Sequence, residues 1–315
     1  MDTQKINSYN IVNNDSKLDA ELHLMGISHL GEFLQFVRQR AIGGRERDEY
    51  EVAQLWRESA AYFETLQNTP SAGIQKPTVL PASKCVQKHI DQLTQLASFK
   101  STFASVPISF GLVPLHQLVC SQFDITVSTL SALKKFITAK ASPISLAKFC
   151  LPLAPAHGAC ILGRETSSEY IFHSDSHDLR YLGAQVVDAA DIKNYHPRGH
   201  VKAAIVMGVG FSTNVLNVIR FADRLVLNNG YHRALALLAL GYTHAPCVIQ
   251  VCSHWGDVEL CAMSEISENA ALYFTKARPP LLRDYLDKKL TSQWPLRRVK
   301  RQLTLKITKE SRDIA

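Results

Sequence analysis

Five consecutive residues, Asn229-Gly230-Tyr231-His232-Arg233, hold the most suggestive chemistry in this sequence. Asn and Gly tolerate positive φ, so Asn228-Asn229-Gly230 marks a tight turn. A helix opening directly after such a turn brings its first amides and the positive end of its dipole to one point, which attracts phosphate. His232 and Arg233 fall in that first turn, where they add charge-assisted donors. The same string also serves simply to cap a helix, so the flanking elements decide between the two readings.

Other constellations offer different chemistry. His173, Asp175 and His177 alternate along one short run, and residues two apart share a strand face, as a metal site requires. The intervening Ser174 and Ser176 equally favour a polar turn. His244, Cys247, Cys252 and His254 supply mixed nitrogen and sulfur ligands that suit zinc. Cys247 and Cys252 are five apart, which on a strand puts them on opposite faces, so buried structural thiols are the expectation. Asp124, Asp175, Asp178 and Asp223 are the carboxylates available as a general base for phosphoryl transfer, and no spacing selects one of them. Neither the GxxxxGK[ST] phosphate loop nor the Rossmann glycine fingerprint is present.

The elements that must position Gly230 are legible on both sides. Residues 215–221, VLNVIRF, alternate as a strand does, and residues 224–227 form a second apolar run after the polar break at Ala222-Asp223. From Tyr231 the period becomes helical, with Ala234, Leu237, Leu238 and Leu240 on one side, and Gly241 closes the helix. The spacing therefore predicts strand, hairpin, strand, Gly turn and helix.

This arrangement resembles the ParB/sulfiredoxin-like superfamily, in which a Gly-x-His-Arg or Gly-x-Arg-Arg element follows a strand and opens a helix. The carrying residues are Asn229 through Ala234. The resemblance implies that Asn229, Gly230, Tyr231, His232 and Arg233 hold the phosphates of a nucleoside triphosphate, CTP or ATP with magnesium, leading to hydrolysis or phosphotransfer. Sulfiredoxin chemistry needs a cysteine just before the His-Arg. Tyr231 stands there, and a phenol cannot form the sulfur intermediate. A strand at 110–115 and another at 245–251, the latter with Pro246 near its start, fall in the order the superfamily uses. About a hundred residues separate the first strand from Gly230, which implies a large insertion at roughly 127–200.

The remaining sequence bounds the alternatives. A chain of 315 residues, 46% hydrophobic and 20% charged, can bury a substantial core. No run reaches membrane-spanning length and the N-terminus lacks a signal-type apolar stretch, so a cytoplasmic protein without membrane contact is expected. Seven scattered cysteines with no CxxC read as reduced thiols. The net charge of +7 is concentrated late, with ten Lys or Arg against three acids between Arg283 and Arg312. That excess makes nucleic acid an alternative partner, bound through the basic C-terminal region without base readout. A non-catalytic interaction protein is the other alternative.

The expected architecture is α+β. Residues 1–20 are polar and expected to be disordered. Residues 21–105 are expected to be a helical region, with stripes through Leu30, Phe33, Leu34 and Val37, through Val52 to Leu66, and through Val86 to Leu96. Residues 106–315 are expected to be the mixed-sheet ParB/sulfiredoxin-like domain. Within it, helices are predicted at 127–138, 144–149, 267–274 and 281–290, and a short helical turn at 189–195. A hairpin is predicted from 159–163 and 170–173. Further strands are predicted at 201–209, at 258–262 beside 245–251, and at 297–308.

Overall fold

The computed structural model describes residues 18–154, 159–176, 178–192 and 199–313. Runs of helices and runs of strands make up the chain, with mixed sheets, so the class is α+β. The chain runs β1 (Leu18–Leu24), α1 (Leu30–Arg40), α2 (Glu49–Gln67), β2 (Leu80–Pro81), α3 (Gln87–Gln95), α4 (Ala97–Thr102), β3 (Ile108–Pro114) and β4 (Asp124–Thr126). It continues α5 (Val127–Phe136), α6 (Pro143–Cys150), β5 (Ile161–Glu165), β6 (Glu169–Ser174), β7 (Arg180–Val187), β8 (Ala204–Gly210), β9 (Asn217–Phe221) and β10 (Arg224–Asn229). Then come α7 (Tyr231–Ala239), β11 (His244–Val251), α8 (Trp255–Cys261), α9 (Ser264–Glu268), α10 (Ala270–Phe274), β12 (Thr291–Arg297) and β13 (Arg301–Lys306).

Two compact units emerge. The first takes the residues up to Leu153 together with Val215–Arg298, and the second takes Ala154–Asn214 with the residues from Val299 onward. The division differs from the expected insertion at 127–200, because α5 and α6 belong to the first unit. Nor is 21–105 purely helical. Residues 18–24 form β1, whose partners β4 and β12 lie far along the sequence, and β2 joins another sheet. Residues 1–17 lie outside the described residues.

In the first unit the main sheet has the order β10-β9-β11-β3-β2. The β9–β10 hairpin is antiparallel and turns on Ala222 and Asp223 at φ 49° and 58°. Two successive positive φ values match the twist of a two-residue hairpin. β11 runs parallel to β9 and antiparallel to β3, with α7 as the crossover. Both faces of this sheet are covered. Val218, Leu225, Leu227 and Val248 pack with α7 in the larger core, while Ile219 and Val226 pack with Val258, Ile266 and Phe274 on the other face. Double coverage is why β10 and β11 read as largely continuous apolar runs. A second sheet, β12-β1-β4, carries a smaller core of Phe33, Val37, Val52 and Trp294.

Residues 258–262, expected as a strand, lie mostly in α8. The Asp257 carboxylate accepts the Ser253 and His254 amides at 2.8 and 3.1 Å, which nucleates that helix and holds the carboxyl below its usual range. The expected strand at 297–308 is present as β13, Arg301–Lys306, while β12 ends at Arg297 and belongs to a different sheet. Residues 281–290 form a short 3-10 turn, Leu282–Leu286, in place of an α-helix.

The second unit contains the antiparallel sheet β13-β6-β5 and, separately, the hairpin β7–β8. The expected hairpin and the strand near 204–210 are both present. Ala189–Asp191 forms one 3-10 turn, and the rest of the helical turn predicted there lies outside the described residues from 193 on. No helix among the described residues is long and apolar enough to cross a membrane.

Candidate functional site

β10 delivers its last residues through a register shift between Leu227 and Asn229, and α7 starts at Tyr231. Gly230 links them at φ +92°, in the left-handed region. A Cβ there would meet Leu216 Cδ1 at 2.8 Å and Leu216 Cα at 3.1 Å, so conformation and space both demand glycine. The Gly230 amide donates to Asn229 Oδ1 at 2.8 Å, and the Gly230 carbonyl accepts the first helical bond, from Ala234, at 2.9 Å.

The three side chains that follow have distinct environments. Tyr231 is buried; its hydroxyl donates to the Leu227 carbonyl and shares a 2.7 Å bond with Ser121 Oγ. Burial holds that phenol well above its ordinary pKa. His232 Nε2 accepts the Thr126 amide at 3.0 Å. A backbone amide can only donate, so this ring nitrogen carries no proton, and His232 anchors the start of α5. Arg233 is half-buried in the first turn of α7, and burial pulls its guanidinium below the usual range. The thiol that feels Arg233 is Cys150, the last residue of α6, which desolvation nevertheless pushes up to about 12. It is a neutral thiol at pH 7. Cys247 instead donates to the Leu216 carbonyl at 3.3 Å.

A cleft of about 590 Å³ opens beside Tyr231. Its walls come from segments far apart in sequence: Glu21 and His23 of β1, Phe36 and Arg40 of α1, Ser121 and Asp124, and Glu265, Glu268 and Tyr273. Glu21 is buried and bonded to His23 Nε2 at 3.1 Å and to Arg40 Nη2 at 2.9 Å. Burial acts to raise the Glu21 carboxyl, but the His23 bond and the Arg40 charge outweigh it and hold it below the usual carboxylate range. The His23 ring also lies 4.0 Å from that of Phe36, centroid to centroid. The volume suits a small molecule, and hydroxyl donors and carboxylate acceptors face it together. Of the five residues expected to bind nucleotide, Tyr231 lines this cleft; Asn229, Gly230, His232 and Arg233 do not. Sequence spacing carried no signal for the cleft, since residues 18–20 of β1 were expected to be disordered and residues 21–24 to belong to a helical region.

The remaining candidates disperse. No cluster of three or more potential metal ligands occurs among the described residues. Asp175 pairs loosely with Lys300 at 3.8 Å, and His177 lies outside the described residues. Cys247 sits in the core on one face of the main sheet and Cys252 in the core on the other, as their odd spacing predicts. Of the four aspartates, Asp124 lines the cleft. Asp178 accepts from the Ser212 amide and hydroxyl, both at 2.8 Å, and Asp223 sits in the hairpin turn paired with Lys76 at 2.9 Å.

The basic C-terminal region is divided between the two units after Arg298. Several of its charges have acidic partners, with Arg298 at 3.4 Å from Asp19 and Lys306 at 4.0 Å from Glu169. No protein-family model matches the chain, and comparison with curated proteins and with solved structures finds no match either.

Proposed function

We propose that the chain binds a nucleoside triphosphate, CTP or ATP with magnesium, with the phosphates at the opening turn of α7. The observation that carries this reading is Gly230, which opens a nine-residue helix in the left-handed conformation directly after a hairpin strand. Such a turn aims the first amides of a helix along its axis toward an incoming anion. Arg233 adds a planar two-pronged donor suited to phosphate. The resemblance to the ParB/sulfiredoxin-like superfamily supports the same assignment.

The side chains divide the work. Tyr231 and His232 position the turn, through Leu227 and Ser121 and through Thr126 respectively. Contact with phosphate then falls to main-chain amides and Arg233. Magnesium in such complexes is held chiefly by phosphate oxygens and water, with one or two carboxylates. Asp124 is the aspartate that the fold brings to the cleft beside Tyr231. A cytoplasmic location belongs to the same proposal.

Calorimetric titration of the full chain with ATP, ADP, CTP and GTP in magnesium tests it. One of the triphosphates should bind, and Arg233→Ala should weaken that binding roughly ten- to a hundredfold, the value of a charge-assisted hydrogen bond of about 1.5–3 kcal/mol. The variant must keep its melting profile without ligand. Equal binding by a folded Arg233→Ala protein, or no heat with any nucleotide, would reduce Gly230–Arg233 to a helix start.

A further inference from the structure

The sulfurs of Cys252 and Cys261 lie 3.6 Å apart, and both thiols are free. Cys252 directly follows β11, and Cys261 is the last residue of α8, so the chain leaves the sheet, forms one short helix and returns to its starting point. The backbone on each side is held independently of the sulfurs. The Cys252 amide donates to the Arg220 carbonyl at 3.0 Å. Asn228 Nδ2 donates to the Cys261 carbonyl at 3.0 Å, and Asn228 Oδ1 accepts the Met263 amide at 3.1 Å. Asn228 is itself fixed by the buried Gln250, whose Oε1 also accepts from Asn217.

The sulfur contact is therefore built into the fold and does not depend on one mobile side chain. The two thiols join no third potential ligand in a metal-binding group among the described residues, so chelation is not the chemistry they suit. Cys252 is nearly buried in the smaller core of the main sheet, and Cys261 packs over it, half-exposed.

We propose that Cys252 and Cys261 are a modification site that forms a reversible intramolecular disulfide when the protein meets a hydroperoxide. One thiolate attacks the peroxide, breaking its O–O bond to give a sulfenic acid and an alcohol, or water from hydrogen peroxide itself. The second thiol attacks that sulfur, the S–S bond forms, and water leaves with its proton. Two electrons pass from the sulfur pair to the peroxide. Burial raises both thiols above their ordinary range, so the reaction accelerates as pH rises. The exposed Cys85 and Cys160 compete for the oxidant.

The experiment treats the full chain with hydrogen peroxide at mildly alkaline pH, alkylates it, digests it without reduction and maps the peptides by mass. The expected product joins Cys252 to Cys261, two hydrogens lighter than the reduced form, and disappears with dithiothreitol. Cys252→Ser and Cys261→Ser should each abolish it and leave the remaining partner as a sulfenic acid trapped by dimedone. Oxidation of Cys85 or Cys160 with Cys252 and Cys261 still fully alkylated overturns the proposal. Mapping of the wild type decides the matter even where a serine variant fails to fold.

Discussion

Replacing Gly230 with alanine tests whether the turn before α7 is as constrained as its geometry indicates. An L-residue held at φ +92° costs about 1–2 kcal/mol. The new Cβ would also press on Leu216, at 2.8 Å from Cδ1 and 3.1 Å from Cα. The Cδ1 methyl has little freedom, because Leu216 is fully buried. The Cα has less, because the Leu216 amide donates to Cys150 at 2.7 Å and its carbonyl accepts from Val248 at 3.0 Å. Overpacking of this kind adds about 1 kcal/mol or more, for a total loss of roughly 2–4 kcal/mol. Trp56, Trp255 and Trp294 all lie in the first unit, so tryptophan fluorescence in urea follows that unit's unfolding. Gly230→Asn separates the terms, since Asn tolerates the left-handed region but meets the same neighbours. It should fall between wild type and Gly230→Ala. Adding Leu216→Ala to Gly230→Ala should lose roughly 1 kcal/mol less than the two single losses summed. A Gly230→Ala midpoint equivalent to less than about 0.5 kcal/mol of loss would refute the steric account.

Three further outcomes follow from ion pairs in the same unit. Arg278 and Asp284 are 3% exposed and paired through two bonds, while Asp284 also accepts the Leu281 amide at 2.8 Å. Asp284→Asn should therefore cost about 3–5 kcal/mol in the same urea experiment, because it strands a buried guanidinium. The Arg298–Asp19 pair, at 3.4 Å and with its arginine largely exposed, provides the contrast, and Arg298→Ala should cost about 1 kcal/mol or less. Glu21 titrates below its unfolded value, so the stability it contributes is present above the unfolded carboxylate pKa and is lost as pH falls through the lower folded one. Urea midpoints of Glu21→Gln and wild type should accordingly converge in acid and separate toward neutral pH; a constant gap at every pH would contradict the assignment.

The parts of this fold that the sequence discloses are those whose signals are local. The β9–β10 hairpin and α7 announce themselves through a polar break, an Asn-Asn-Gly turn and a change of period within about twenty residues. β1 does alternate, with Leu18, Ala20, Leu22 and Leu24, but the run merges into the helical stripe from Leu30 and its partners lie at Asp124–Thr126 and Thr291–Arg297. Glu21 obscures it further, being buried by virtue of His23 and Arg40 and not of its own polarity. Pro295 disguises β12, although a proline is acceptable on the edge strand that β12 is. The turn at Gly230 could thus be read in advance, and the direction of the side chains around it could not. That the His232 ring accepts from Thr126, more than a hundred positions away, is a property of the assembled core. The cleft was illegible for the same reason, since its walls meet only after β1 is in place.

The pairing of β1 with β12, Leu18 against Arg297, has a consequence for biosynthesis. A ribosome releases residue 24 long before residue 291. At about 5–20 residues per second the interval is on the order of tens of seconds. For that time β1 has at most β4 beside it, through the three positions from Glu21 to His23. The side later covered by β12 is then an open edge, and such edges recruit strands from other chains. Glu21 and His23, with Arg40 close by in sequence, place charge and a titratable ring on the waiting strand. The residues that later wall the cleft are thereby in position to guard the nascent chain against pairing with its neighbours on the polysome.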